Sequence, residues 1–167
     1  YRFLHHEADE LAKATARPTW FEARIGTPHD GGTPVQDDPA VVPTPHGDVP
    51  IHGLIDRVET VPGTTPTHLV VRDYKTGSTI PSAREALLGV KFQLPLYALM
   101  AENAFDSIET VGSAYYQVAP PNSVNSRKGL VTSQEMAAWA GSDDPGTPLL
   151  RHSHPDIETH DAFRRFI

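Results

Sequence analysis

Two short stretches of the chain hold three side chains that could act together on a phosphate: Asp56 in His52-Gly-Leu-Ile-Asp-Arg-Val-Glu59, and Asp73 and Lys75 in Thr67-His-Leu-Val-Val-Arg-Asp-Tyr-Lys-Thr-Gly77. Both are rich in β-branched and apolar residues. The Val-Pro-Gly-Thr-Thr-Pro between them is turn chemistry, so the pair reads as a β-hairpin. With the turn centred on Gly63-Thr64-Thr65-Pro66, Val61 faces His68 and Asp56 faces Asp73. Side chains alternate along a strand, which puts Asp73 and Lys75 on one face and Tyr74 on the other. Opposed carboxylates about 5 Å apart repel by roughly 3 kcal/mol at an effective dielectric of about 20. Lys75 offsets part of that. A hard divalent cation such as Mg²⁺, held by both aspartates and several waters, would offset the rest, polarise a phosphate and acidify an attacking water. The lysine would then stabilise developing charge or position the water.

The same residues have a plainer reading. Asp-x-Lys on a strand is commonly a solvated pair, and the opposition of Asp56 depends on the inferred register. That register also sets Arg57 against Arg72 on the opposite face, which is unfavourable unless Glu59 or a neighbour intervenes. On the acidic face the expected neighbours are Leu54, Val58, Leu69 and Val71, an apolar setting that lowers the local dielectric and strengthens cation binding. Further along, Lys91 to Ala104 reads as a helix that begins near Phe92, because Pro95 is tolerated in a first turn and not in a helix interior. Its expected buried side is Phe92, Leu96, Leu99 and Met100. Gln93 and Tyr97, four residues apart, share another face and can reach toward the hairpin together; on spacing alone they are an ordinary amphipathic pair.

The ordered set Gly53-Leu-Ile-Asp-Arg-Val-Glu59, Val70-Val-Arg-Asp-Tyr-Lys-Thr-Gly77 and Lys91-Phe-Gln-Leu-Pro-Leu-Tyr-Ala98 resembles the nuclease core of the PD-(D/E)XK superfamily, in its RecB-like and AddB-like branch. That branch's pattern is Gly-x-x-Asp-Arg, Asp-Tyr-Lys-Thr-Gly and Gln-x-x-x-Tyr, and Phe21-Glu-Ala-Arg-Ile-Gly26 is similar to the strand that precedes it. The match runs from about Glu22 to Tyr97. The resemblance implies an α/β fold, a mixed central β-sheet flanked by helices with a restriction-endonuclease-like core. It implies Asp56 and Asp73 as metal ligands, Lys75 as a catalytic residue beside them, and Gln93 and Tyr97 lining the substrate site. The cofactor it implies is Mg²⁺ or Mn²⁺, the substrate DNA, and the activity that of an exonuclease in repair or recombination, joined to a helicase subunit or domain. Family members also carry a metal-holding histidine on a helix before the core. His5 and His6 lie nearer the Phe21-Glu22 strand than that histidine normally does, so they read as helix-surface residues, with the family histidine expected upstream of Tyr1.

Composition bounds these expectations. A chain of 167 residues is enough for one nuclease-like domain spanning 1–167, with its core at about 19–119; because it opens on Tyr, it is expected to be a piece of a longer chain. No apolar run reaches membrane-spanning length and no secretory signal pattern opens the chain, which makes the expected location cytoplasmic with no membrane partner. Cysteine is absent, excluding disulfides and an iron-sulfur cluster; some AddB-like and CRISPR-associated relatives carry such a cluster, so this is a departure. The net charge of −7 argues against a nonspecific basic coat for nucleic acid, though a bound metal can invert the local field of an acidic site.

The flanking segments are less informative. Residues 5–16 read as a helix, and 19–26 as a strand with Trp20, Glu22 and Arg24 on one side and Phe21, Ala23 and Ile25 on the other. Glu22 there is either a structural edge residue or a site carboxylate, the former preferred. Residues 27–50 turn to Pro, Gly, Asp and Thr and read as a long loop with a short strand at most near Val41-Val42. Short helices are expected over 81–88, 133–140 and 158–167, a buried strand over 108–119 with the preceding helix as its crossover, and an edge strand at Leu130-Val131. His152 and His154 lack a third ligand at metal-binding spacing. Two functions stand against each other: a cutting nuclease, and a nuclease-fold scaffold that binds DNA or docks a protein without cleavage. The nine histidines are too scattered to support an unrelated hydrolase.

Overall fold

The computed structural model describes residues 2–26, 31–77, 85, 90–118 and 127–131. Along them run α1 (Arg2–Lys13), β1 (Arg17–Ile25), β2 (Thr33–Gln36), β3 (Ala40–Thr44), β4 (Gly47–Ile51), β5 (Gly53–Val61), β6 (Thr67–Lys75), α2 (Gln93–Ala104), β7 (Ile108–Gln117) and β8 (Arg127–Val131). Six strands make one mixed sheet in the order β2-β1-β5-β6-β7-β8, and β3 pairs with β4 alone. The β1–β2 and β6–β7 pairs are parallel and the others antiparallel. The expected hairpin is β5 and β6, and its register is the expected one from Arg57 facing Arg72 to Val61 facing His68, but the ladder stops there and the expected Asp56–Asp73 pair is not formed. Thr64 fixes the turn: its hydroxyl donates to the Val61 carbonyl at 3.0 Å and accepts from the His68 amide at 2.8 Å. Gly63 takes φ +84° there, a conformation that favours glycine.

A strand parallel to its predecessor needs a crossover, and α2 supplies it between β6 and β7. The helix packs on both strands. Its buried side is Leu94, Pro95, Ala98, Met100 and Ala101, so of the expected stripe only Met100 is fully buried; Phe92 is the N-cap residue and 56% exposed. Turning Gln93 and Tyr97 toward the hairpin rotates the helix so that Ala98 and Ala101 meet the sheet, and small residues allow that close approach. Ile25, Ile55, Val58, Leu69 and Val71 form the sheet side of this core against Met100 and Ala101, with Trp20, Tyr97 and Phe105 at its margin. Each large aliphatic side chain buried this way contributes about 1.5–3 kcal/mol before chain entropy is set against it.

Residues 27–50 depart from the expected loop. The described part carries β2, β3 and β4 in spite of Pro34, Pro43 and Pro50. Proline is tolerated where a strand has a free edge, and every strand of a two-stranded ribbon has one. At the Val41–Pro50 pair, Val41 turns away from its strand partner: its amide donates to Asn103 Oδ1 at 3.0 Å and its carbonyl accepts from Asn103 Nδ2 at 3.0 Å. Pro50 is therefore asked for no donor, and the ribbon is pinned to α2. The first helix lies a turn earlier than expected, ending at Lys13, where the Arg17 guanidinium collects the carbonyls of Leu11 and Ala16 at 3.2 Å and that of Ala14. The edge strand at Leu130-Val131 is the end of β8. Apart from Glu85, the expected helices at 81–88, 133–140 and 158–167 and the His152/His154 pair lie outside the described residues. No helix among the described residues is long and apolar enough to cross a membrane.

Candidate active site

The site forms where the central ladder is interrupted. The β1–β5 pairs pass from Phe21 against Arg57 to Ala23 against Ile55, and the β5–β6 pairs end at Arg57 against Arg72, so Asp56 is left out of both and Glu22 out of the first. Glu22 has φ +48°, an uncommon conformation for a residue with a Cβ. Side-chain alternation restarts at this point: Trp20 and Ala23, and likewise Val58 and Ile55, join one core although each pair is three residues apart. Two expectations change as a result. Ile55, not Leu54, continues the core beside Val58, and Phe21 parts from Ala23 and Ile25; Leu54 is 39% and Phe21 52% exposed.

Asp56, released from the ladder, turns its carboxylate to the hydrogen-bonding edge of β6, where Oδ2 accepts from the Tyr74 amide at 2.8 Å. That amide belongs to the peptide that follows Asp73. Asp73 itself is buried on the α2 side, and its Oδ1 accepts from Gln93 Nε2 at 2.6 Å. The Lys75 ammonium pairs with Asp73 Oδ2 at 2.5 Å and donates to Gln93 Oε1 at 2.8 Å. Gln93 Nε2 also donates to Tyr97 Oη at 3.0 Å. Four of the five residues expected at the site thus form one hydrogen-bonded cluster, and the fifth is tied to its backbone. Tyr115, facing Asp73 across β6 and β7, lies under the lysine, with Nζ 5.1 Å from the ring centroid.

Burial pushes the Asp73 carboxyl above the ordinary aspartate range, the hydrogen bond and charge of Lys75 pull it back, and the charge of Asp56 pushes it up again; the net direction is up. Burial likewise raises the Tyr97 hydroxyl, and takes that of Tyr115 to about 12 with help from Asp73. The opposite face of the same strands is balanced differently. Glu59 pairs with Arg57 and, at 2.8 Å, with Arg72 Nε, so the intervention that the Arg57–Arg72 opposition required is made by Glu59. Arg57 also pairs with Glu7 of α1 and donates to Tyr74 Oη at 3.0 Å.

Phe21, Glu22, Gly32, Thr33, Asp56 and Tyr74 line an open cleft of about 420 Å³. Gly32 lets β2 come this close to β1: a Cβ there would stand 2.2 Å from the Glu22 carbonyl oxygen, at φ +72°. Sequence reasoning placed Glu22 at an edge and missed Phe21, Tyr74 and Tyr115 as neighbours of the acids; an aromatic within one residue of Asp73 was the available signal for Tyr74. His5 lies exposed on α1. Among the described residues no three His, Asp or Glu side chains are grouped to hold a metal ion. The donor set does fit an Mg²⁺-like cation, which takes one or two carboxylates and completes its octahedron with water and substrate phosphate. The Asp73 carboxyl is raised chiefly by burial, with the charge of Asp56 adding to it, so a cation bound beside the two acids would favour its ionised form.

A mixed sheet with helices, whose central hairpin opens to present two carboxylates and a lysine, defines a restriction-endonuclease-like α/β domain. The family model of the PD-(D/E)XK nuclease superfamily matches residues 1–165, and the chain belongs to that superfamily. No curated protein matches it. Membership carries nuclease function and DNA as substrate at the level of the superfamily, whose members generally use divalent metal ions.

Proposed function

We propose that the chain is a metal-dependent deoxyribonuclease domain acting as an exonuclease, with Asp56 and Asp73 holding Mg²⁺ or Mn²⁺ and Lys75 as the catalytic amine. Gln93 and Tyr97 line the substrate site. The observation that carries this reading is the Gln93 side-chain amide, which accepts from Lys75 and donates to Asp73 and so sets amine and acid in a fixed relation. A divalent cation bound there would neutralise phosphate charge and acidify water. Lys75 commits donors to Asp73 and to Gln93, which holds the ammonium in place to meet charge developing on a phosphate oxygen. Asp56 is oriented by a backbone amide, so its carboxylate is set before substrate arrives. The biological setting proposed is repair or recombination beside a helicase subunit or domain, on the strength of the motif resemblance.

The test compares Mg²⁺- or Mn²⁺-dependent cleavage of linear and circular DNA by the wild type, Asp73→Ala and Lys75→Ala. Each substitution is expected to slow cleavage of linear DNA by at least about 10³-fold, roughly 4 kcal/mol of transition-state stabilisation. Circular DNA is expected to resist. Activity that survives both substitutions would discredit the site, and a wild type that binds DNA yet cuts none with any divalent metal would leave the scaffold reading in its place.

A further inference from the structure

We propose that Phe21 is a stacking platform for an unpaired nucleobase beside the phosphate engaged at Asp56, which makes single-stranded DNA the preferred substrate. This deepens the nuclease reading, whose Asp56 lines the cleft that also holds Phe21, and rests on it. The ring lies on the cleft wall with Asp56 and Tyr74 and is 52% exposed. A single exposed apolar residue needs no explanation on an open surface. This one is set apart by its position and its support. The restart of alternation at Glu22 takes Phe21 out of the α2-side core that Trp20, Ala23 and Ile25 join.

The support is Arg57, whose guanidinium lies 5.9 Å from the ring centroid. Arg57 is itself buried and held by Glu7, Glu59 and Tyr74, so the ring is backed by a fixed cation and needs little ordering on binding. A cleft of about 420 Å³ is of the size that takes a small ligand or one nucleotide. Charge points the same way. A chain of net charge −7 gains little from a basic coat, so affinity has to come from the local acid–cation centre and from base stacking, which every base supports. Bases in a duplex are already stacked on one another and present no free face to Phe21.

The test uses the whole 167-residue chain and a single-stranded oligonucleotide carrying 2-aminopurine at successive positions, with Ca²⁺ as the cation. Stacking on Phe21 is expected to change the fluorescence of one position, Phe21→Ala to abolish the change, and Phe21→Trp to preserve it. In Mg²⁺, Phe21→Ala is expected to raise KM for single strands about tenfold with kcat changed less than about threefold. An abasic residue at the responsive position should cost the wild type the same factor and the variant nothing further. Equal KM increases for single strands and duplex, or a fluorescence response that survives Phe21→Ala, would overturn the platform. Cleavage abolished by Asp73→Ala but indifferent to Phe21→Ala would sink the platform while the nuclease reading stands; stacking without any cleavage would sink the nuclease reading and the substrate preference with it.

Discussion

The two faces of the β5–β6 hairpin set like charges against each other in neighbouring rows and resolve them differently. On the α1 side, Arg57 and Arg72 meet two carboxylates, Glu59 between them and Glu7 on Arg57. On the α2 side and at its margin, Asp73 meets the Lys75 ammonium while Asp56 is held by the Tyr74 backbone amide. The first face is closed by the protein's own counter-ions and is structural. The second keeps an acidic excess, which a cation and a substrate phosphate can complete. A buried charge cluster is thus informative through its imbalance rather than through the number of its ion pairs.

The comparison breaks first at Glu59. Neutralising it as Glu59→Gln leaves two buried guanidiniums with Glu7 as their remaining carboxylate in the network described, and removing one partner of a buried charge set costs about 3–5 kcal/mol. In a chain of this size that is roughly 2–4 °C in Tm for each kcal/mol, measured by thermal or urea unfolding. A loss below about 1 kcal/mol would mean that the network is balanced by solvent rather than by Glu59.

The same kind of change on the other face is expected to have the opposite sign. Asp73→Asn keeps the acceptor for Gln93 and removes a carboxylate whose charge burial and Asp56 disfavour by more than Lys75 favours it, so without divalent metal it should stabilise the fold at pH 7. The stabilisation that Mg²⁺ gives the wild type should vanish in this variant. The pH dependence carries the contrast further. The Asp73 carboxyl is raised by folding, so its contribution is fully present below the ordinary aspartate value and is lost as pH rises through the folded value. Burial tends to raise Glu7 as well, but Arg57 and Tyr116 outweigh it and hold Glu7 below the ordinary glutamate range. Its contribution is present above that range and lost as pH falls through the folded value. Unfolding midpoints measured from pH 3 to 7 should therefore lose the falling slope in Asp73→Asn and the rising one in Glu7→Gln.

How much of this could be read in advance follows from what is local. The Arg57–Arg72 opposition, and Glu59 as its remedy, were legible because turn chemistry and strand alternation fix a hairpin register over a few residues. Glu7 was not, since its place depends on how α1 meets the sheet. Gln93 and Tyr97 share a helix face by spacing alone, yet only the resemblance aimed them at the hairpin; the geometry that brings Gln93 to Asp73 is made by the crossover. The restart at Glu22 and Asp56 was hidden because a positive φ outside glycine is a tertiary compromise with no signal in the residue type. Pro34, Pro43 and Pro50 misled for a related reason. They mark breaks in a central strand, and whether a strand will lie at an edge is decided by the whole sheet.

The smallest expected effect tests whether the two faces are independent. Tyr74 touches both: its amide holds Asp56, and its hydroxyl accepts from Arg57 at 3.0 Å. Tyr74→Phe removes the hydroxyl and leaves the amide, so it should cost about 1.5 kcal/mol of stability, the low end for a hydrogen bond to a charged group. Because Asp56 is held by backbone, the Mg²⁺-induced rise in Tm should match that of the wild type within error. A Mg²⁺ response reduced along with the stability would instead mean that the arginine network positions the acidic pair, and that the balanced face shares in the work of the unbalanced one.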